Sequence, residues 1–171
     1  MSGLRRAGVT DAAAIAEIDV RAWWHGYRSF LDEQRLSERI VEDQTLHWSE
    51  RLRGGGLGET WALEVAGRIA GYSSFGPGGD PDAKAGTGEL LALYVDPPAQ
   101  GGGAGTLLLE HAHGRLAELG FDAATLWTFE ANGLARAFYE RHGWVLDPCG
   151  AGNERCEWWA PAVRYRRTIA S

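Results

Sequence analysis

The segment VDPPAQGGGAGTLLLEHAHGRLAELG, residues 95–120, puts its chemistry in the backbone. Gly101, Gly102, Gly103, Ala104 and Gly105 are almost bare main chain, and Thr106 leads into a stretch with Leu108, Leu109, Ala112, Leu116 and Leu119 at helical spacing. A helix N-terminus presents unpaired N–H groups and the positive end of the helix dipole. Glycines before it let the chain wrap closely around an anion, so the junction suits a phosphate or pyrophosphate. A flexible loop in a chain with 24 glycines is the other reading.

Two phosphate fingerprints fail. A nucleotide P-loop needs Gly-Lys-Ser/Thr at the helix start, where this chain has Gly105-Thr106-Leu107. The dinucleotide pattern G-x-G-x-x-G, begun at Gly101 or Gly103, ends on Thr106 or Leu108. The spacing that fits is Gln100-x-x-Gly103-x-Gly105. Further along, Asn132 and Tyr139 stand seven residues apart in a helical stretch and so share one face. A tyrosine after Phe138 on an apolar helix also serves as an ordinary core residue. His111 and His113, two apart on the helix after the glycines, point to different faces. No His-Glu-x-x-His exists, and no metal site is expected. His25 is a further candidate base, and His142 beside Gly143 reads as a helix-end residue favoured by the dipole.

Elements must position these groups. Residues 12–27 form a predicted helix capped by Thr10 or Asp11, with Ile15, Ile18 and Ala22 inward. A second helix is predicted over 37–53, with Ser37 as cap, Ile40, Val41, Leu46 and Trp48 buried, and the glycines at 54–56 ending it. Residues 61–65 and 68–75 around Ala66-Gly67 read as an antiparallel hairpin. Residues 89–95 form the most apolar strand, placed centrally. Gly120 caps the glycine-led helix. Residues 124–129 form another strand, 132–141 a short helix closed by Gly143, and 144–146 and 163–166 the last strands. Residues 147–161 read as a loop or hairpin tip. The order is an α/β or α+β domain with a mixed sheet.

Bulk properties narrow the function. At 171 residues the chain suits one domain, 1–171, able to bury roughly 70% of its unfolded surface. Its formal charge is −6, from 17 Lys and Arg against 23 Asp and Glu, so nucleic acid is not an expected partner. The same field mildly favours a cationic ligand. Cys149 and Cys156 are too few for a disulfide framework and read as thiols in a reducing cytosol. The N-terminal residues carry no sustained apolar stretch, and no run approaches the ~20 residues of a membrane span. Cytoplasmic residence without a membrane partner is the expectation.

Gln100-x-x-Gly103-x-Gly105 resembles the acyl-CoA-binding signature Q/R-x-x-G-x-G/A of the GNAT superfamily of N-acetyltransferases. Other pieces resemble the family in order: GELLALYVDP (88–97) before the signature, the helix after it, ATLWTFEANGLARAFYERHGWVL (124–146), and VRAWWHGYRSFL (20–31), which resembles a substrate loop of many bacterial members. The resemblance spans nearly the whole chain. It implies a mixed, mostly antiparallel sheet of about six or seven strands, splayed at the acyl-CoA site and flanked by about four helices.

It also implies acetyl-CoA as donor and no metal. The pyrophosphate would rest on amides from Gln100 to Thr106, that is Gln100, Gly101, Gly102, Gly103, Ala104, Gly105 and Thr106. The pantetheine arm would pair with main-chain groups of Leu93, Tyr94 and Val95, beside Asn132, Ala135 and Phe138. Tyr139 matches the family's general acid toward the CoA sulfur. The N–H near Leu93 would polarise the thioester carbonyl, and Glu89 matches a position that accepts the amine proton, often through water. A lysine-like amine, with a pKa near ~10.4, must lose that proton before it attacks. Trp23, Trp24 and Tyr27 fall where the acceptor pocket is usually capped, and Trp127 lies on the strand facing the splay. Trp158 and Trp159 occupy the late loop. Such aromatics could hold an amine by cation–π contact.

The expected activity is transfer of acetyl directly to a primary amine of a small molecule or peptide, in a possible homodimer. The rivals are a non-catalytic acyl-CoA-binding or regulatory module on the same fold, and a transferase of a larger acyl group.

Overall fold

The computed structural model describes residues 2–54, 58–147 and 160–169. Its strands are β1 (Ser2–Arg6), β2 (Glu59–Val65), β3 (Arg68–Pro77), β4 (Thr87–Val95), β5 (Ala123–Phe129), β6 (Val145–Leu146) and β7 (Ala162–Thr168). Its helices are α1 (Ala12–Tyr27), α2 (Glu33–Ser37), α3 (Val41–Arg53), α4 (Ala104–Glu118) and α5 (Gly133–Arg141). The described strands form a seven-stranded sheet in the order β1-β2-β3-β4-β5-β7-β6. The β4–β5 pair is parallel, and the others are antiparallel.

Local chemistry explains most of these elements. Ala66 and Gly67 both adopt positive φ, 51° and 76°, which closes the β2–β3 hairpin with the twist its strands need. Apolar positions alternate with the sheet's two faces. On one face Leu90 and Leu126 meet Leu109, Ala112 and Leu116 of α4. On the other, Tyr72 meets Ile15 and Ile18 of α1 and Trp48 of α3. Each such aliphatic side chain contributes roughly 1.5–3 kcal/mol by leaving water.

Several expectations are corrected. Residues 37–53 do not form one helix. Ser37 ends α2, its hydroxyl donating to the Gln34 carbonyl, and the extended Ile40 (φ −106°, ψ 151°) precedes α3, giving five helices among the described residues where about four were expected. Trp48 is buried, but Leu46 is 62% and Ile40 43% exposed, because Leu46 lies two residues from Trp48 and therefore on the opposite side of the helix. Leu119 is exposed beyond the last turn of α4. Asp11 does not cap α1 through its side chain. Its carboxylate accepts from the Gly8 N–H and from Arg5, closing a 3-10 turn over Val9–Asp11. Strand β1 was not foreseen, since Leu4 is the one large apolar residue in it. Cys149, Cys156, Trp158 and Trp159 lie outside the described residues. No helix among the described residues is long and apolar enough to cross a membrane.

Candidate functional site

The site forms where β4 and β5 part. Their parallel register runs from Thr87↔Ala123 to Leu90↔Leu126 and stops. A bulge at Leu91, between the pairs Ser74↔Ala92 and Phe75↔Leu90, re-aims β4 at the same level. Beyond it β4 follows β3, and β5 follows β7 to Phe129↔Ala162. The Asp96 N–H donates to the Ala70 carbonyl, and strand groups alternate, so Tyr94 turns its N–H toward β3. Leu93 and Val95 turn theirs to the edge that β5 has left. That alternation gives the Tyr94 main chain to β3, while its side chain faces a cavity on the α1 side.

The glycine turn closes the far end of β4. A 3-10 turn at Pro97–Ala99 stops the strand, and the Gln100 side chain turns back to donate to the Val95 carbonyl at 3.0 Å. Gly101 and Gly103 take φ of 81° and 86°, a region costly for any residue with a Cβ, and Gly103 is the N-cap of α4. Among the described residues, no backbone carbonyl accepts from the N–H groups of residues 101–106. A Cβ at Gly101 or Gly103 would meet nothing within 4 Å, so there is open space beside the turn.

Helix α5 packs against that turn. Asn132 is its N-cap, its Oδ1 accepting from the Ala135 N–H at 3.1 Å, and among the described residues its side-chain N–H groups meet no acceptor. Phe138 approaches Gly105 so closely that a Cβ there would stand 3.4 Å from its ring. Thr106 Oγ1 lies 3.1 Å from His142 Nε2, while His142 Nδ1 lies 2.8 Å from the Phe138 carbonyl. A carbonyl only accepts, so Nδ1 is the donor in the second contact. Tyr139 is 9% exposed, and its hydroxyl makes no hydrogen bond among the described residues. Burial holds its pKa well above the ordinary tyrosine value, with Tyr94 close enough to add to the effect.

On the α1 side, a cavity of about 360 Å³ is bounded by α1, α3 and the β3–β4 face, reaching Leu91, Ala92 and Tyr94. Asp19, 1% exposed, accepts from Trp48 Nε1 at 3.0 Å and pairs with Arg39 at 2.8 Å. Sequence reasoning passed over Asp19, Arg39 and Arg51. A carboxylate on the buried face of α1, beside Ile15 and Ile18, was the available signal. Glu89 is 2% exposed, and its Oε2 accepts from the Gly79 N–H at 3.0 Å.

The aromatics divide. Trp23 and Tyr27 stack edge-on at 4.6 Å, and both meet Phe129 at the end of β5. Trp23 also lines the cavity. Trp24 lines a separate depression with Pro97. Trp127 donates to Asp80 and lies under Arg164, 5.8 Å from its ring centroid. The structure thus brings Trp23 to the cavity wall, sets Tyr27 behind it against Tyr94, and leaves Trp24 and Trp127 outside. His113 accepts from Trp144 Nε1, and burial lowers its pKa to about 4. His111 packs on Trp61, its pKa also lowered by burial. Both are structural. His25 is exposed near the end of α1, away from the cavity.

A mixed sheet that splits between two parallel strands, with an anion-ready turn at the end of one of them, defines an acyl-CoA transferase fold. The model of the acetyltransferase (GNAT) family matches residues 19–144, and the chain belongs to that family. It is 29% identical over 133 residues to the uncharacterized N-acetyltransferase YuaI of Bacillus subtilis, covering 77% of this chain and 74% of that protein. Its fold matches PaiA N-acetyltransferase from Thermoplasma acidophilum, solved in complex with coenzyme A, with a TM-score of 0.81 at 15% identity over 98% of this chain and 99% of that one. It also matches yncA, an acetyltransferase from Salmonella typhimurium solved with acetyl-CoA, with a TM-score of 0.70 at 21% identity over 99% and 95%.

Proposed function

We propose that the protein moves the acetyl group of acetyl-CoA directly to a primary amine of a small molecule or peptide. The open edge of β4 beyond Leu90, ending on the unpaired amides of residues 101–106, is the observation that carries this reading. Open space over Gly101 and Gly103 fits a pyrophosphate, and the unpartnered edge at Leu93 and Val95 fits an amide-bearing arm. Gln100, Gly101, Gly102, Gly103, Ala104, Gly105 and Thr106 would hold the first. Leu93, Val95, Asn132, Ala135 and Phe138 would hold the second.

When bound, acetyl-CoA supplies an acetyl carbon activated as a thioester. The chain's own groups do the rest. The Leu93 N–H, fixed in a strand and facing the open edge, is placed to polarise a carbonyl oxygen. The Tyr139 hydroxyl keeps its proton across the working pH range and can give it to a departing thiolate. Glu89 holds a buried carboxylate on the α3 side of β4, where a water can carry an amine proton to it. Trp23 and Tyr27 wall the acceptor side. The described strands share one sheet, which supports a single domain.

A panel of polyamines, aminoglycosides, amino acids and peptide N-termini, read by release of free CoA thiol, tests the activity. Turnover with at least one amine is expected. Tight acetyl-CoA binding without turnover on any of them would overturn transferase activity in favour of a binding module.

A further inference from the structure

The acceptor cavity carries the opposite charge from the chain as a whole. Asp19 is the one carboxylate among its lining residues, and Arg39 and Trp48 already satisfy it. Arg51 also lines the cavity. Its Nε donates to the Ser74 hydroxyl at 3.2 Å, and among the described residues no carboxylate lies within ion-pairing distance of it. Burial disfavours its charge, which Tyr72 and Glu89 offset only at longer range. A half-buried guanidinium without a counter-ion is costly, and a carboxylate that meets its remaining N–H fork removes that cost.

The two indole rings in the lining already carry a cation. Arg39 lies 4.6 Å over the Trp23 ring, and Arg51 6.0 Å from the Trp48 centroid. The lining thus offers no free indole and no unengaged carboxylate for an acceptor ammonium, and it offers one unpaired guanidinium for an anion. The cationic acceptor that the overall charge favoured is therefore not what this wall selects. At about 360 Å³ the cavity sits near the small end of ligand sites, which favours a small molecule over a polypeptide. Arg51 and Ser74 stand toward one end of the wall, and Tyr94, at the splay, toward the other.

We propose that the acceptor is a small aminocarboxylate, a free amino acid or close analogue, whose carboxylate is held by Arg51 while its amine faces the splay at Tyr94. This rests on the transferase reading for the amine but not for the carboxylate.

The test compares amino acids with the amines left by removing their carboxylate, in the wild-type protein, Arg51→Met and Arg51→Lys. Wild-type kcat/KM is expected to favour the amino acid at least tenfold. In Arg51→Met that ratio falls to within a few-fold of one, mainly through KM, and Arg51→Lys restores part of it. Amino-acid binding in the presence of CoA, read by tryptophan fluorescence because Trp48 lines the cavity, gives a measure independent of turnover. Arg51-dependent binding without turnover would sustain the carboxylate site and defeat the transferase reading. Equal or better use of the decarboxylated amines, a preference that survives Arg51→Met, or no amino-acid binding at all would overturn the inference.

Discussion

The Tyr27 hydroxyl lies 3.2 Å from that of Tyr94, while the Tyr27 ring packs edge-on against Phe129 at 4.9 Å. One side chain from α1 therefore touches both strands after they have parted. It closes the α1 side of the splay and leaves the α5 side to Tyr139. Tyr27, Tyr72, Tyr94 and Tyr139 all have pKa values raised, with burial the largest cause.

That shared shift sets the alkaline limit of the fold. The folded state keeps these protons longer than the unfolded chain, whose tyrosines ionise near pH ~10. Their contribution is complete below that pH and is lost as pH rises toward the folded values. The melting temperature should drop steeply above pH 10, with tyrosinate absorbance appearing together with loss of far-ultraviolet ellipticity. Tyrosinate appearing well before unfolding would contradict the burial argument.

Tyr139→Phe removes the hydroxyl and keeps the ring packed between Phe138 and Trp144. Turnover should fall by about 10²-fold, the scale of a positioned acid, with the dissociation constant for acetyl-CoA within about threefold of wild type. Steady-state kinetics with calorimetry separates the two. Equal turnover in both proteins would remove Tyr139 from the chemistry.

Gly103→Ala places a Cβ at φ 86°, where the strain is of order 1–2 kcal/mol. The turn should relax away from its amide-out shape, and acetyl-CoA should bind about tenfold more weakly by calorimetry. Unchanged affinity would show that residues 101–106 do not hold the pyrophosphate.

Asp19→Ala leaves Arg39 and Trp48 Nε1 without their buried acceptor. Removing one partner of a buried pair costs roughly 3–5 kcal/mol. Urea denaturation should show a loss of that size, and a loss below about 1 kcal/mol would contradict the pairing.

Glu59 joins β2 to α4 through Arg115, whose hydrogen bonds lower the Glu59 pKa to about 2. A depressed carboxylate stabilises above its unfolded pKa and loses that stabilisation as pH falls through the folded value. The stability gap between wild type and Glu59→Gln should be full above pH ~5 and close between there and pH ~2. A gap independent of pH would place the stabilisation elsewhere.

Much of this was legible in the chain. The hairpin at Ala66-Gly67, the helix over 12–27, the central strand and the glycine-capped helices follow from local backbone preference and apolar period. Leu46 and Ile40 were misjudged because apolar type alone does not say which side of α3 meets α1. Strand β1 was missed because its pairing with β2 supplies what its short polar sequence lacks.

The sequence by itself determined the family, most of the order of elements and the glycine turn before α4, because glycines, helix starts and strand ends act within a few residues of one another. Tertiary structure decided where β4 and β5 separate, which aromatics reach the cavity on the α1 side, and the balance of charge in its lining. Asp19, Arg39 and Arg51 come from separate stretches of chain, and only their packing determines which guanidinium meets the carboxylate and which does not.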